Sequence, residues 1–344
     1  MNLTWGILSK YKNELYGFSI IWIILFHGLE LRRASLGKAL DIFKGVIKHG
    51  NCGVEVFLFL SGLCLYYSMK KNPDITTFYI SRLKRIFIPL LLIDGVYWLY
   101  SCVIQKGDFV AFLKNITFYS FWVGQSKQVW FIALIMVLYA IYPFLYKYIL
   151  NNEKVDKFRI VVILCIFVYV ACYGLRVFNP AWYKSVEIAL TRIPVFLLGS
   201  YCGILSYEDR VVSTKVKACS LIIMLAGIGF FYVHPVSLVK YFRTPYLLVG
   251  PSIALWICVC LEIIKSEKIN RFLCNWGMLS LELYLTHVTF RIIYRYSFLY
   301  GKGATANFYK YVLVVMILSY VVSKLVSVLT KKIDASILLV KRTD

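Results

Sequence analysis

An imidazole stands near the end of an otherwise apolar run, Glu14-Leu-Tyr-Gly-Phe-Ser-Ile-Ile-Trp-Ile-Ile-Leu-Phe-His27-Gly28. Ionisable groups held at membrane depth mark functional sites, because burying them is costly. Backed by a carboxylate, such a histidine is a general base, which contributes roughly 10²–10⁴-fold to a proton-transfer step. The next apolar run, Asn51-Cys-Gly-Val-Glu-Val-Phe-Leu-Phe-Leu-Ser-Gly62, supplies that carboxylate in Glu55. Two plainer alternatives stand beside this reading. His27 could be an interfacial residue bonded to a carbonyl, and Glu55 could form a structural ion pair between helices.

Further along, Phe78-Tyr-Ile-Ser-Arg82-Leu-Lys-Arg85-Ile-Phe-Ile-Pro89 places two guanidiniums three residues apart, on one helix face. Paired arginines suit phosphate, since each planar fork donates bidentate bonds. Ordinary flanking charge at a membrane surface would look the same. Near the end, Asn275-Trp-Gly-Met-Leu-Ser-Leu-Glu282-Leu-Tyr284-Leu-Thr-His287 carries a third polar set. Tyr284 and His287 share a helical face, whereas Glu282, five residues before His287, points elsewhere. No paired-histidine spacing suggests a metal, and none is expected. Ser61-Gly62 lacks the frame of a nucleophile elbow and reads as small-residue helix packing.

The elements that position these groups are membrane helices. Of 344 residues, 60% are hydrophobic and 16% charged, against about 25% charged in soluble domains, and mean hydropathy is +0.71. Ten apolar stretches long enough to cross a bilayer are expected at about 15–31, 52–69, 86–104, 129–149, 158–175, 186–205, 216–233, 245–264, 276–293 and 309–330. The chain is therefore read as an all-α integral membrane protein, one bundle over 1–344. Lys10 and Lys12 precede a full span, so no cleavable signal peptide is expected.

The net charge of +22 falls mostly in short loops, which argues for setting orientation rather than binding nucleic acid. Ten cysteines lack any C-x-x-C pairing and read as free, packed thiols. Alternating loop charge favours cytoplasmic N- and C-termini, although Arg32, Arg33, Lys38, Lys44 and Lys48 in the first outer loop oppose it. With that orientation His27, Glu55, Trp130, Glu187 and His287 fall near the outer ends of their spans. Arg192 lies somewhat deeper, and Arg82 and Arg85 face the cytoplasm. Trp130, Arg192, Tyr284 and His287 then line a substrate pocket around a His27–Glu55 dyad. His49 and His234 sit in loops and carry little signal.

Five segments in order resemble the acyltransferase-3 family of bacterial membrane O-acyltransferases. They are Leu15-Tyr16-Gly17…Leu25-Phe26-His27, Gly53-Val-Glu-Val-Phe57…Leu60-Ser61-Gly62, Phe78-Tyr79…Arg82-Leu-Lys-Arg85-Ile…Pro89, Trp130-Phe-Ile…Tyr139…Tyr142-Pro143 and Leu279-Ser280…Leu283-Tyr284-Leu285-Thr-His287. The family places an arginine eleven residues before its first-helix histidine; Tyr16 stands there in this chain.

The resemblance implies ten membrane helices, a place in the bacterial inner membrane, and transfer of an acyl group other than aminoacyl. The donor is cytoplasmic acetyl-CoA or another acyl-CoA, and the acceptor a hydroxyl of a sugar, glycan or glycolipid of the cell envelope. By position His27 would be the catalytic residue, as base or acyl relay, and Arg82 with Arg85 would engage CoA phosphates. The resemblance gives Glu55 no role; orienting His27 is the expectation made here. The lipid bilayer is the expected surrounding, and a homo-oligomer is compatible with every feature. A glycan-precursor transporter or flippase would also use buried Glu55, Glu187, Arg192 and Glu282. An inactive family member acting as a regulator would keep the fold, and Tyr16 agrees with that.

Overall fold

A computed structural model describes residues 3–30, 41–233, 244–297 and 304–343. Arg32, Arg33, Lys38 and His234 lie outside the described residues. Twelve helices of eleven residues or more carry the architecture: α1 (Lys12–Leu29), α2 (Gly53–Lys71), α3 (Ile75–Ile104), α4 (Trp130–Leu150), α5 (Lys157–Phe178), α6 (Pro180–Leu190), α7 (Ile193–Tyr207), α8 (Thr214–Val233), α9 (Thr244–Ile264), α10 (Glu267–Met278), α11 (Ser280–Tyr296) and α12 (Ala304–Thr343). Among the described residues the β pairing is a single isolated bridge, Thr4 to Val211. All ten cysteines are free.

Among the described residues seven helical stretches are long and apolar enough to cross a membrane: Gly50–Lys71, Ile75–Ile104, Trp130–Leu150, Lys157–Phe178, Pro180–Tyr207, Tyr246–Ile264 and Phe308–Ala335. The expected first, seventh and ninth spans form α1, α8 and α11 but stand outside that set. α1 has 18 residues and begins with Lys12 and Glu14; α11 has 17 and carries Glu282, Arg291 and Arg295. Function displaces hydropathy in these two helices.

Burial grades the helices from centre to lipid. About 78% of the apolar window in α2 is buried, against 11% in α5 and 22% in that of α12. An all-round apolar helix at low burial is one that faces hydrocarbon. α2 is therefore the central post, and His27, Glu55 and Tyr284 lie on helices packed around or within it.

Backbone approach sets the closest contacts. Gly62 of α2 faces the Phe196 carbonyl oxygen of α7, and Gly199 of α7 faces the Phe59 carbonyl oxygen of α2; a Cβ would lie 2.3 and 2.0 Å from those atoms. The same device seats α10 on α1, where a Cβ on Gly277 would stand 1.7 Å from the Asn13 carbonyl oxygen. Small residues let helices approach where lipid offers no hydrophobic drive to join them.

Start and break signals are local. Asp74, Asp156, Asn179 and Ser266 each accept a first-turn backbone N–H, satisfying donors that a helix leaves open. Pro89 and Pro143 lie inside α3 and α4, and each is followed within three residues by a π-helical turn, Leu91–Gly95 and Tyr146–Leu150. Proline removes an i→i−4 bond and the wider turn takes up the slack. The expected 186–205 span is two helices, α6 and α7, broken at Thr191–Arg192. Pro194 opens α7 at its N-terminal turn, where a missing N–H costs nothing.

Candidate active site

Two cavities lie end to end along the same helices. The first, about 370 Å³, is lined by Lys12 and Tyr16 of α1, Ser61 and Cys64 of α2, Arg82 and Arg85 of α3, Tyr139 of α4 and Tyr284 of α11. The second, about 340 Å³, is lined by His27 and Glu30 of α1, Lys127 and Gln128, Trp130 of α4, Glu187 of α6, Arg192, and Tyr284 and Arg291 of α11. Three helices pass from one to the other in register. On α1 the lining runs Tyr16, Ile23, His27; on α2 and the turn before it, Ser61, Val54, Asn51; on α11, Leu281, Tyr284, Arg291. Ile23, Val54 and Tyr284 line both cavities.

In the arginine cavity, Arg82 donates from Nη2 to Ser68 Oγ at 2.7 Å and lies over the Phe78 and Tyr139 rings at 5.5 and 5.9 Å. Aromatic faces hold a guanidinium in one orientation without neutralising it. Arg85 is half exposed, with Nη1 3.9 Å from Oε1 of the buried Glu282. Tyr16, at the position where an arginine was expected by resemblance, packs on Phe57 at 5.2 Å and opens onto this cavity. Ser61, expected to serve helix packing, lines the cavity instead, and Gly62 next to it makes the close helix contact.

In the histidine cavity, the expected His27–Glu55 dyad is not formed. Glu55 is 1% exposed and pairs with Arg192, Oε1 to Nε at 2.8 Å. Arg192 also donates from Nη1 to the Ile188 carbonyl at 2.7 Å, and its guanidinium lies over the Trp130 ring at 4.8 Å. The reason is charge: a permanent guanidinium in the α6–α7 break offers a buried carboxylate more than an imidazole does.

The acid on His27 is Glu30, one turn along the same helix, with Oε2 2.6 Å from Nδ1. Arg291 Nη1 donates to that carboxylate oxygen at 2.8 Å and also meets Nδ1 of His27. Two tautomers fit these contacts: with Nδ1–H donating to Glu30, Nε2 is the acceptor, as a general base requires, and with Nδ1 accepting from Arg291 the proton is on Nε2.

His287 stacks on His27, centroids 5.4 Å apart at 29°. Its Nδ1–H donates to the Leu283 carbonyl at 2.8 Å, leaving a buried Nε2 without a partner. Tyr284 meets His287 edge-on at 5.7 Å. Behind this wall Asp94, turned inward by the π-helical turn Leu91–Gly95, accepts from Gln128 Nε2 at 2.9 Å and Thr289 Oγ1 at 2.7 Å. It thereby fixes the Gln128 side chain at the cavity edge.

Thus His27, Trp130, Arg192 and Tyr284 share one cavity, His287 backs it, and Arg82 and Arg85 share the other. Glu55 reaches the site only through Arg192. Glu30, Arg291, Gln128 and Asp94 belong to no motif recognised in the sequence. The i,i+3 spacing of His27 to Glu30 and the i,i+4 spacing of His287 to Arg291 were the available signals. His49, read as a loop residue, is buried and bonded through Nδ1 to Tyr246 Oη at 2.9 Å.

A family model described as an acyltransferase domain matches residues 15–324, from the first turns of α1 into α12. The chain belongs to the acyltransferase-3 family. The match covers both cavities and nearly every helix, so it supports a membrane acyltransferase in general terms. No curated protein and no solved structure gives a significant match. Within an acyltransferase-3 chain the two cavities acquire chemical meaning, since acyl transfer brings a donor and an acceptor together.

Proposed function

We propose that this protein transfers an acyl group, acetyl in the simplest case, from cytoplasmic acyl-CoA to a hydroxyl of a cell-envelope glycan or glycolipid. The observation that carries the reading is the end-to-end pair of cavities, one with Arg82 and Arg85, the other with the His27–Glu30 pair, meeting at Tyr284. The reading has ten crossings of a bacterial inner membrane, both termini in the cytoplasm, and the arginine cavity opening inward. The charges that a transporter's substrate path would use are paired with one another, Glu55 with Arg192 and Glu282 with Arg85. That favours the enzyme over the carrier.

An alcohol does not attack a thioester unaided at neutral pH. In the proposed mechanism the acceptor hydroxyl gives its proton to His27 Nε2 as its oxygen attacks the thioester carbon. Glu30 holds the tautomer and stabilises the imidazolium, as a carboxylate behind a catalytic histidine does. Arg291 fixes Glu30. The thioester reaches the base by extending its pantetheine arm from the arginine cavity past Tyr284. Trp130 presents a ring at the acceptor side. The test is incubation of purified protein with labelled acetyl-CoA and a membrane glycan fraction. Label in an alkali-labile ester on glycan is expected; label remaining on acetyl-CoA would reject the reading.

Arg82→Ala with Arg85→Ala is expected to raise the apparent KM for acetyl-CoA about 10- to 100-fold, since a hydrogen bond to a charged group is worth about 1.5–3 kcal/mol, with kcat little changed. Steady-state kinetics decides. An unchanged KM would leave these arginines the role of setting orientation.

A further inference from the structure

The three side chains common to both cavities differ in kind. Ile23 and Val54 are apolar, while Tyr284 carries a hydroxyl at the boundary. The residue is 6% exposed; its Oη lies near the Phe131 backbone N–H, which can only donate to it, and among the described residues the hydroxyl proton meets no acceptor. A buried donor left unmet costs about 1–3 kcal/mol. Its packing does not need the oxygen: the ring lies against Phe131 at 5.1 Å and His287 at 5.7 Å, contacts a phenylalanine would make equally well. The polar atom is therefore directed at something that is not part of the protein.

Resting on the acyl-transfer reading above, we propose that Tyr284 is a catalytic residue whose hydroxyl donates a hydrogen bond to the thioester carbonyl oxygen where the two cavities meet. The thioester can reach His27 only past the Ile23–Val54–Tyr284 boundary, and of these three only Tyr284 can donate. It also sits one ring from the base, since His287 contacts Tyr284 on one side and stacks on His27 on the other.

The step balances without another reactant. The acceptor oxygen bonds to the carbonyl carbon while its proton passes to His27 Nε2. The carbonyl π pair moves onto oxygen, and that oxyanion takes the Tyr284 hydrogen bond. Collapse restores the carbonyl, breaks the carbon–sulfur bond, and expels a thiolate that receives the proton from His27. The products are an ester and CoA thiol.

The experiment is Tyr284→Phe in the full-length protein, assayed with labelled acetyl-CoA and the membrane glycan fraction beside the parent protein, with thermal unfolding of both. Removing one donor to an oxyanion lowers kcat by about 10²–10³. We expect that loss with KM for acetyl-CoA within about twofold and a melting temperature close to the parent's, because the ring contacts to Phe131 and His287 are kept. Parent protein that transfers, with a variant equally fast, would overturn the Tyr284 assignment alone. A variant whose loss lies wholly in KM would make Tyr284 a donor-binding residue and overturn it too. A variant that unfolds would show the hydroxyl to be a structural donor, and the assignment would fall in that case as well. Parent protein that transfers nothing would remove the acyl-transfer reading and this assignment with it.

Discussion

His27→Ala is expected to abolish acyl transfer, with a loss at the upper end of the 10²–10⁴-fold range that a positioned general base supplies, while folded protein still accumulates in the membrane. The side chain is about 20% exposed, and its contacts are to Glu30, Arg291, Phe26 and His287, so the fold does not hang on it. Glu30→Gln separates the base from its orienting acid. The glutamine amide can still meet Nδ1, but it cannot balance an imidazolium, so kcat is expected to fall about 10- to 100-fold with little change in either KM. Turnover of the purified alanine variant within a few-fold of the parent would remove His27 from the mechanism.

Glu55→Gln has a different expected outcome: loss of the fold before loss of chemistry. Glu55 and Arg192 are each about 2% exposed at the side chain and 2.8 Å apart. Removing one partner of a buried pair strands the other charge, at about 3–5 kcal/mol. A large fall in melting temperature and in folded yield from detergent is expected. Replacing both partners, Glu55→Met with Arg192→Leu, is expected to recover most of that stability, because two apolar groups leave no charge unmatched. Recovered folding without recovered transfer would assign Arg192 to the acceptor cavity as well as to the pair. A Glu55→Gln protein as stable as the parent would dissolve the ion-pair argument.

What could be read from sequence divides along one physical line. Depth in a membrane follows from counting residues at 1.5 Å each, and depth alone brought His27, Glu55, Trp130, Glu187 and His287 to one level, with Arg192 somewhat deeper. Motif spacing brought Arg82 and Arg85 to the other. Direction around a helix axis does not follow from depth. Glu55 stands at a level that would let it meet His27, yet it faces the α6–α7 break rather than α1, and the break itself had been read as one continuous span. Asp94 was invisible for a related reason. A π-helical turn after Pro89 rotates it inward, and no pattern of period 3.6 predicts that rotation. Glu30 caps the C-terminal end of α1, and the positions of His27 and of Arg291 on a distant helix make it part of the site. The seven stretches recognised by hydropathy alone omit α8, and also α1 and α11, two helices that hold many of the candidate site residues and whose charged groups lower their hydropathy.

The boundary at Ile23, Val54 and Tyr284 has an electrical consequence. In a chain that spans a bilayer, two wet cavities meeting at three side chains leave a very thin insulator. The voltage across the cell membrane would then drop over that septum, rather than over the usual hydrocarbon thickness of about 30 Å. Carrying one unit charge through it is worth about 2.3 kcal/mol per 100 mV. Any charge separated across Tyr284 during the transfer would be driven or held back by the cell's own polarisation.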